Sequence, residues 1–391
     1  MVLNSYLFIK NKRKESRDTM IRVLHSVSNM DRAGLETMLM NYYRHIDREL
    51  IQFDFLANKP KPGAYEEEVR KLGGRIFVSP GFNPVKLPKY RKFMKNLFIE
   101  NPEIQIVHAH NGALAYYALR EAQRNHIPHR IAHSHNSKIN WDLKWPIKQY
   151  CRANLKKAAT ECWGCGELAV EFYFGKEIVQ NKDYILIRNA IEEERFLYNE
   201  QIRKKLRKKY HVEEKFDLGH VGRFMYQKNH TFLIDIFAEV YKQNPQAVLF
   251  LIGEGELEEK IRKQIHNLNI QDAVIFTGSI PNVNEFYQAM DVFLLPSLYE
   301  GLPVVGIEAQ ASGIPCIFSD TVTEEVGITD MAEFVPLNAS TTVWTKEILK
   351  YAKGYERKNM AAEIVHTGYS IHTEAKKMQD RYLKMIEPAG K

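Results

Sequence analysis

Short apolar runs alternate with amphipathic segments along most of the chain. The first series of runs is rich in β-branched and aromatic residues and comprises IRVLHSV (21–27), FDFLA (53–57), RIFV (75–78), IQIVHAH (104–110), RIAHSHN (130–136) and YILIRN (184–189). Segments with helical periodicity lie between these runs. Strands that alternate with helices in this way predict βαβ units and a parallel sheet.

The same alternation restarts further along the chain. The second series comprises FDLGHVG (216–222), AVLFLIG (247–253), AVIF (273–276), DVFLLP (291–296) and IPCIFS (314–319). A charged, helix-favouring stretch separates the two series, so we predict two α/β domains, 20–195 and 196–370. Apolar residues at helical spacing predict a C-terminal helix within 371–391 that packs back on the body. Residues 1–19 are polar, basic and without period, which predicts a disordered extension or a misassigned start.

Residues that directly follow the predicted strands are the first candidates for chemistry. In open parallel sheets, ligands bind outside the carboxyl ends of the strands. Two such domains that face each other would place the active site in the cleft between them. Charged residues, glycines and histidines in the strand-to-helix loops are therefore the candidates for the site.

The strongest motif is PSLYEGLPVVGIEAQASGIP, residues 296–315, at the end of a predicted strand. Its candidate residues are Glu300, Gly301, Leu302, Pro303, Val304 and Glu308. Pro303 suits the first turn of a helix, whose free N–H groups and dipole would bind a diphosphate. Glu308 could accept hydrogen bonds from a ribose, and Glu300 could meet the hydroxyls of a sugar. Solvated surface charges on a short amphipathic helix are the alternative for both glutamates.

Two further loops carry cations or glycines. GHVGRFMYQKNH places Gly222 after a strand, with Arg223 and Lys228 flanking a short loop before a helix. Such a pair would suit a diphosphate, although surface cations are the commoner role for these residue types. Gly253 ends the next strand in a Gly-x-Gly, which is either a tight turn or a point of close approach to a nucleotide. Gly34, in MDRAGLET after the first strand, could likewise approach a phosphate or a sugar.

Histidines are concentrated at the ends of two strands. His108 and His110 lie in VHAHN, and His133 and His135 lie in AHSHN. Residues two apart on a strand share a face, so each pair could project in one direction. Acid–base roles, a metal site and buried structural histidines all stay open. The sequence contains no Asp-x-Asp, no G-x-x-x-x-G-K-[ST] and no G-x-G-x-x-G, which disfavours classical nucleotide hydrolysis and dinucleotide binding.

GRFMYQKN and EGLPVVGIE, with two glutamates eight positions apart, resemble the retaining glycosyltransferases of family four. That family has the GT-B fold of two facing Rossmann-like domains. The resemblance runs from Met20 to the final helix, and bacterial exopolysaccharide and capsule glycosyltransferases are nearest in pattern. ILIRNAIEEERF is similar to the family's N-G-[IV]-D linker and MDRAGLE to its G-G-x-E loop, with Ala190 and Ala33 where the family has glycine.

The resemblance implies roles for individual residues. Arg223 and Lys228 would hold the donor diphosphate, Glu300 the transferred sugar and Glu308 the ribose, while His135 would lie at the reacting face. The implied donor-binding set also contains Gly34, Gly222, Gly253, Gly301, Leu302, Pro303 and Val304. His110 and Asn136 would lie toward the acceptor or the cleft.

The implied reaction moves a hexosyl unit from a UDP-sugar to a lipid-linked glycan, with retention and without a metal or cofactor. UDP is favoured over GDP by the resemblance alone. A nucleotide-sugar 2-epimerase of the same fold is one alternative. A non-catalytic nucleotide-sugar or lipid-binding subunit is the other.

Charge is distributed unevenly along the 391 residues. The chain has 55 Lys and Arg against 48 Asp and Glu, a net charge of +7. Residues 1–19 contribute 5 − 2 = +3, residues 20–198 contribute 27 − 20 = +7, and residues 199–391 contribute 23 − 26 = −3. Lys144, Lys148, Arg152 and Lys156 recur at four-residue spacing and predict a basic helix face. A solvated face is the ordinary interpretation, and contact with an anionic membrane surface is the sharper one.

Cellular location and other partners follow from composition. No apolar run approaches the ~20 residues of a membrane span, and four cysteines fit a reducing compartment. We therefore expect a cytoplasmic protein, either free or peripheral on the inner face of the cell membrane. Cys162 and Cys165 form a single C-x-x-C, which without a second pair is weak evidence for a metal or redox site. The basic segments lack interleaved aromatics, which disfavours nucleic-acid binding.

Overall fold

The structure, a computed structural model, describes residues 20–59, 61–81, 85–136, 139 and 142–387. The predicted extension at 1–19 lies outside the described residues. The chain forms two compact units. The first comprises residues up to Arg188 together with those from Ile371 onward, and the second comprises Asn189–Ser370.

The first unit is a parallel sheet with helical crossovers. Its strands are β1 Ile21–Val27, β2 Ile51–Ala57, β3 Ile76–Val78, β4 Ile104–Ala109, β5 His129–Ser134, β6 Glu161–Gly164 and β7 Ile185–Leu186. Its helices are α1 Gly34–His45, α2 Glu66–Lys71, α3 Leu87–Glu100, α4 Ala115–Arg124, α5 Trp145–Ala158, α6 Glu167–Phe174 and α7 Lys176–Gln180. The strand order is β3-β2-β1-β4-β5-β6-β7. β1 and β2 are buried along nearly their whole length, as strands covered on both faces are.

The second unit repeats this plan. Its strands are β8 Phe216–Val221, β9 Ala247–Ile252, β10 Val274–Gly278, β11 Val292–Leu295, β12 Cys316–Ser319 and β13 Ala332–Val335. Its helices are α8 Glu200–Tyr210, α9 His230–Gln243, α10 Glu258–Asn267, α11 Val283–Ala289, α12 Val304–Ala311, α13 Thr341–Leu349 and α14 Ala361–His366. The strand order is β10-β9-β8-β11-β12-β13.

Both sheets reverse their strand order at one point. In the first unit β1 lies beside β4, and in the second β8 lies beside β11. A crevice opens outside the carboxyl ends of the strands at such a switch point, and it is where open α/β sheets bind ligands. The loops after these four strands therefore define where each unit's candidate residues should be sought.

The predicted alternation is confirmed, with local differences. YILIRN forms only the two-residue edge strand β7, because it pairs on one side only, with β6. The strand β13 has no counterpart among the predicted runs. The predicted domain boundary at 195 lies beyond the observed one at Arg188, since Ile191 bridges to Ser370 and so joins the second unit.

The last helix, α15 Ile371–Ile386, returns to the first unit. Its buried face includes Met378 and Tyr382, as its apolar spacing predicts. The carboxylate of Glu374 accepts a hydrogen bond from the backbone N–H of Arg188 (3.0 Å), which fixes the helix beside the end of β7. The segment that starts at Ile371 thus belongs to the same compact unit as strands β1 to β7.

Two departures from the family pattern prove sterically harmless. Ala33 precedes α1 with φ −132° and ψ 168°, an extended conformation that any residue adopts. Ala190 is buried and does not have a positive φ. Neither alanine therefore strains a backbone conformation that would require glycine.

Within the described part of the chain, no helix combines the length and the apolar character that crossing a bilayer would require.

Candidate active site

Glu300 is held by three side chains at the switch point of the second unit. Its Oε1 lies 2.8 Å from Lys228 Nζ and accepts a hydrogen bond from the Ser297 hydroxyl (2.8 Å). Its Oε2 accepts a hydrogen bond from Gln227 Nε2 (2.9 Å). The Glu300 side chain is only 8% exposed. A carboxylate this enclosed and with this many partners is fixed in position, which excludes the alternative of a solvated surface charge for Glu300.

The loops after β8 and β11 are joined by their backbones as well. The N–H of Leu298 donates to the carbonyl of Gln227 (2.8 Å), and the side-chain amide of Asn229 donates to the carbonyl of Pro296 (3.1 Å). Asn229 has φ +53°, a left-handed conformation that asparagine tolerates better than most residues. This turn aims Lys228 at Glu300 and starts α9. Arg223, in the same loop, is exposed.

Glycines allow two loops of the second unit to pack without side chains between them. Gly253 has φ +136°, and a Cβ there would lie 2.3 Å from the carbonyl oxygen of Gly222. A Cβ on Gly255 would lie 2.4 Å from the carbonyl oxygen of Phe224. A Cβ on Gly222 would meet the stem of Lys228 at 3.1 Å. The Gly-x-Gly thus has a structural explanation, and a donor contact at Gly253 stays a prediction.

The helix that follows Glu300 begins one residue later than predicted. α12 starts at Val304, and Pro303 is its N-cap residue with φ −75° and ψ 102°. Pro303 is therefore outside the first turn, because its extended ψ precedes the helical residues. Gly301 and Leu302 lie in the loop between Glu300 and this cap. The N–H groups of a first helical turn lack intrahelical partners, so the start of α12 still suits an anion.

Glu308 lies on α12 and contacts Tyr287 of α11. The Tyr287 hydroxyl donates to Glu308 Oε2 (2.9 Å). Burial raises the pKa of Glu308 to about 7, against the opposing effects of the Tyr287 hydrogen bond and the Arg195 charge. A carboxyl group that titrates near neutrality can accept hydrogen bonds from a diol once it is ionised.

Five histidines meet at the switch point of the first unit. The rings of His108 and His110 stack at 4.2 Å, and those of His133 and His135 at 4.1 Å, as the spacing of two residues predicts. His25 of β1 joins them, with its Nδ1 at 3.0 Å from His110 Nε2.

The five rings form two hydrogen-bonded chains. One runs from His25 through His110 to His135, with His110 Nδ1 at 2.9 Å from His135 Nε2. The other joins His133 Nδ1 to His108 Nε2 (3.0 Å), and His108 Nδ1 to the hydroxyl of Tyr382 on α15 (2.6 Å).

Burial keeps these histidines neutral. It lowers the pKa of His25 and of His135 to about 3, and lowers the pKa values of His108, His110 and His133 well below 6.5. Two trios, His25/His108/His110 and His110/His133/His135, have ring nitrogens within 4.8 Å of one another, close enough to be considered for a metal ion. His135 alone among the five is partly exposed.

The remaining predicted residues lie beside these clusters. Gly34 is the first residue of α1, and the space where its Cβ would stand is open to 4 Å. Asn136 directly follows His135 and is exposed. Cys162 and Cys165 are buried thiols.

The structure brings together Lys228 and Glu300 in the second unit, and His110 and His135 in the first. Sequence reasoning missed the partners that fix them: Gln227, Tyr287, Ser297, His25 and Tyr382. Gln227 and Ser297 each lie within three positions of a predicted residue, which is a signal that could have identified them. No such signal marks His25 or Tyr382, because each is far along the chain from the histidine that it contacts.

Two family models match the chain. The model of glycosyl transferases group 1 matches residues 201–363, and that of glycosyltransferase family 4 matches residues 32–165. The first match contains the Lys228–Glu300 pair, and the second contains His110 and His135. Each unit therefore carries one of the two models.

Curated relatives extend the similarity over most of the chain. The putative glycosyltransferase EpsF of Bacillus subtilis is 36% identical over 337 residues, 85% of this chain and 88% of that protein. The capsular polysaccharide biosynthesis glycosyltransferase CapH of Staphylococcus aureus is 26% identical over 74% of this chain and 79% of its own. A UDP-Gal:α-D-GlcNAc-diphosphoundecaprenol α-1,3-galactosyltransferase of Escherichia coli is 29% identical over 42% of this chain and 45% of its own.

A solved structure supports the fold across both units. Anabaena Alr3699/HepE, in complex with UDP and glucose, aligns with a TM-score of 0.74 and 15% identity, covering 93% of this chain and all of its own. This agreement, with the two parallel sheets, confirms the predicted α/β GT-B class of two Rossmann-like domains. With the family matches in both units and the extent of the similarity to EpsF, the chain belongs to the group 1 and family 4 glycosyltransferases.

Proposed function

We propose that the chain transfers a hexosyl unit from a UDP-sugar to a lipid-linked glycan in extracellular or capsular polysaccharide biosynthesis, with retention and without a metal. The observation that carries the proposal is the fixed Glu300–Lys228 pair, with Gln227 and Ser297, at a sheet switch point. CapH is named for capsular polysaccharide, and the E. coli relative for a UDP-sugar and a lipid diphosphate acceptor.

The second unit's residues suit stabilisation of a departing diphosphate. Negative charge grows on the leaving oxygen as the sugar–phosphate bond breaks. Lys228, Arg223 and the start of α12 all lie after β8 or β11, where they can oppose that charge. Glu300, held by Ser297 and Gln227, would orient the sugar through its hydroxyls.

The proposed chemistry needs no protein nucleophile. The bond between the anomeric carbon and the phosphate oxygen breaks, and the departing phosphate oxygen accepts the proton of the acceptor hydroxyl. The acceptor oxygen then bonds to the anomeric carbon on the face that the phosphate left. The products are the retained glycoside and UDP, so atoms and charges balance.

The test begins with a donor screen. We expect UDP-sugars to raise the melting temperature of the purified chain more than GDP- or ADP-sugars do, because a ligand of the folded state stabilises it by mass action. UDP release should then require a synthetic sugar–diphosphate–lipid acceptor and persist in EDTA. No stabilisation and no release with any UDP-sugar would contradict the proposal.

The same incubation separates the rival functions. A 2-epimerase would convert the donor into its epimer without acceptor, which is detected by chromatography of the sugar. A binding subunit would be stabilised by donor yet would neither transfer nor hydrolyse it. Transfer or hydrolysis of the donor by the purified chain would therefore exclude a binding subunit.

Glu308 predicts a pH-dependent effect on stability. Its folded pKa, about 7, lies above its ordinary value of 4.5. The folded state therefore favours the neutral form, and the carboxyl group's contribution to stability falls as pH rises from about 4.5 to 7. We expect Glu308→Gln, neutral at every pH, to melt at a higher temperature than wild type at pH 8 and at a similar temperature at pH 5.

Glu308→Gln should weaken donor binding, although it raises the melting temperature at pH 8. The Glu308 carboxylate would accept ribose hydrogen bonds, so calorimetry should show weaker UDP-sugar binding by Glu308→Gln, with a larger deficit at pH 8 than at pH 6. Tyr287→Phe, which removes the neighbouring hydroxyl and keeps the carboxylate, is the control. Unchanged donor affinity in Glu308→Gln at both pH values would remove the ribose role.

We also propose that the first unit contacts an anionic membrane surface through α5. Lys144 and Lys156 are exposed, but Lys148 pairs with Asp142 (2.6 Å) and Arg152 lies over the ring of Phe172 (4.7 Å). Two of the four residues of the predicted basic helix face thus already have partners within the first unit. Leu143, the residue directly before Lys144, is an exposed apolar residue, and Tyr150 is exposed elsewhere on α5. Lysines beside exposed apolar side chains suit a lipid headgroup layer.

Vesicle binding tests this contact. Each lysine near an anionic surface contributes ~1 kcal/mol, and glutamate is repelled by that surface, so the full chain with Lys144→Glu and Lys156→Glu should bind phosphatidylglycerol vesicles more weakly by at least about thirtyfold. The control carries Lys260→Glu and Lys263→Glu, exposed lysines of α10 with the same change in net charge. Equal losses in the two variants would mean that net charge alone, not α5, determines binding.

A further inference from the structure

The hydrogen-bonded chain of the His25, His110 and His135 rings determines which nitrogen of each ring carries the proton. All three imidazoles are neutral, since burial lowers their pKa values far below neutrality. A neutral imidazole donates through one nitrogen and accepts through the other. Each hydrogen bond joins a nitrogen of one ring to a nitrogen of the next ring. The three rings must therefore all donate in the direction from His25 to His135, or all in the reverse direction.

The buried end of the chain decides between these directions. His25 is fully buried, and its Nε2 has no hydrogen-bond partner among the described residues. The rings of Phe53 and Phe55 lie beside it, with centroids at 4.1 and 5.6 Å. A buried N–H without an acceptor is rarer and costlier than an unused lone pair. The proton of His25 is therefore on Nδ1, facing His110.

That position sets the other two rings in turn. His25 Nδ1–H donates to His110 Nε2, so the proton of His110 is on Nδ1. His110 Nδ1–H donates to His135 Nε2, so the proton of His135 is on its other nitrogen, Nδ1. His135 is the partly exposed end of the chain, at the carboxyl end of β5.

We infer that His25, acting through His110, fixes His135 as the Nδ1–H tautomer, so that His135 offers a substrate oxygen an N–H donor and never a base. His25 and His110 are positioning residues. The inference deepens the proposed function and rests on it for the presence of a substrate oxygen at His135. A donor at that position is consistent with the departing phosphate, and not a histidine, taking the acceptor proton.

A metal ion would be a competing use of the same nitrogens. The facing nitrogens are 2.9–3.0 Å apart with a proton between them, whereas zinc needs lone pairs that converge on one point at ~2.0–2.1 Å. Burial and then the neighbouring histidines lower the pKa values of His108 and His110, and no carboxylate among the described residues acts on either ring. A divalent ion in this enclosed cluster would be uncompensated, which disfavours it.

Nitrogen-15 NMR of the full chain labelled at histidine tests the tautomer directly. Protonated and unprotonated ring nitrogens resonate far apart, and the His135 signals are assigned by their loss in His135→Gln. We expect His135 Nδ1 to be protonated and Nε2 unprotonated in the wild-type protein, without any substrate. The reverse assignment would overturn the inference, and this measurement needs no variant at His25 to fold.

Two substitutions at His25 separate its hydrogen bond from its volume. His25→Phe keeps a ring but removes the donor, so His135 should become a mixture of tautomers, and kcat should fall about three- to tenfold, the value of one hydrogen bond. His25→Asn can place an amide N–H near the former Nδ1 and should restore both. Tyr382→Phe removes a hydrogen bond from the other row of rings, His133 and His108, and should leave the His135 tautomer unchanged.

The outcomes are distinct from those of the donor screen. An Nδ1–H His135 in a protein that no UDP-sugar stabilises would support the tautomer and contradict the proposed function. A wild-type tautomer that persists in His25→Phe would show that His25 does not set it. Stoichiometric metal in the purified protein, lost in His110→Ala, would overturn the inference outright, because the ion would occupy the nitrogens assigned to the protons.

Discussion

Replacing Lys228 by alanine is expected to lower kcat about a hundredfold to a thousandfold. Removing one preorganised stabiliser of a developing negative charge typically has an effect of that size. The Lys228 side chain is 14% exposed and lies 2.8 Å from Glu300, so its ammonium is held in place before substrate arrives. Ser297 and Gln227 would still hold Glu300 in the variant. We therefore expect the substitution to lower kcat much more than it lowers the free energy of unfolding.

Initial rates of UDP release across donor concentrations measure this effect, with the melting temperature recorded in parallel. Lys263→Ala, an exposed lysine on α10 of the same unit, is the matched control and should keep wild-type rates. Arg223→Ala should also lose activity. Near wild-type turnover in both Arg223→Ala and Lys228→Ala would show that these cations do not stabilise the leaving group.

Replacing Asp54 by alanine is expected to lower the free energy of unfolding by about 3 kcal/mol, the lower end of the range for breaking a buried ion pair. Asp54 is fully buried on β2. It accepts from Arg22 Nε (2.9 Å) and from Arg75 Nη2 (2.6 Å) and backbone N–H (2.9 Å). Its loss would leave the Arg22 guanidinium without its carboxylate, while Arg75 would keep its ion pair with Glu103 (2.8 Å). Arg75 is 34% exposed, so water would partly compensate it, which favours the lower value.

Urea unfolding followed by circular dichroism measures the change. Glu67→Ala removes an exposed carboxylate that pairs with Lys71 on α2, and it should leave the unfolding midpoint unchanged. An Asp54→Ala midpoint equal to that of Glu67→Ala would mean that the Arg22–Asp54–Arg75 cluster does not stabilise the first unit.

The fold could be predicted largely from local pattern. Runs such as AVLFLIG are continuous and apolar because both faces of a parallel strand are covered. Such a run consists of adjacent residues, so it can be recognised from the sequence. The edge strand β7 and the strand β13 were harder to predict, because short strands with partly exposed residues carry little apolar signal. The boundary at Arg188 depends on the pairing of Ile191 with Ser370, which no local window contains.

The candidate site was predictable where a motif is contiguous. Arg223, Lys228, Glu300 and Glu308 each lie in a loop or helix start that the sequence marks by strand, glycine and charge. The sequence-based prediction puts Pro303 one residue too far into its helix, since composition does not fix the residue at which helical ψ begins. Glu308 was identified, but its raised pKa depends on burial against Tyr287, which lies 21 positions away.

The sequence by itself therefore determined the two α/β units, the loops that carry chemistry and the residue types in them, because periodicity and strand-end motifs are local properties. The tertiary structure alone decided which distant residues meet. It joined Lys228 to Glu300, returned α15 to the first unit, and placed His25 85 positions from His110 at hydrogen-bond distance. Tautomers and shifted pKa values arise from such packing, since they depend on which groups exclude water from one another.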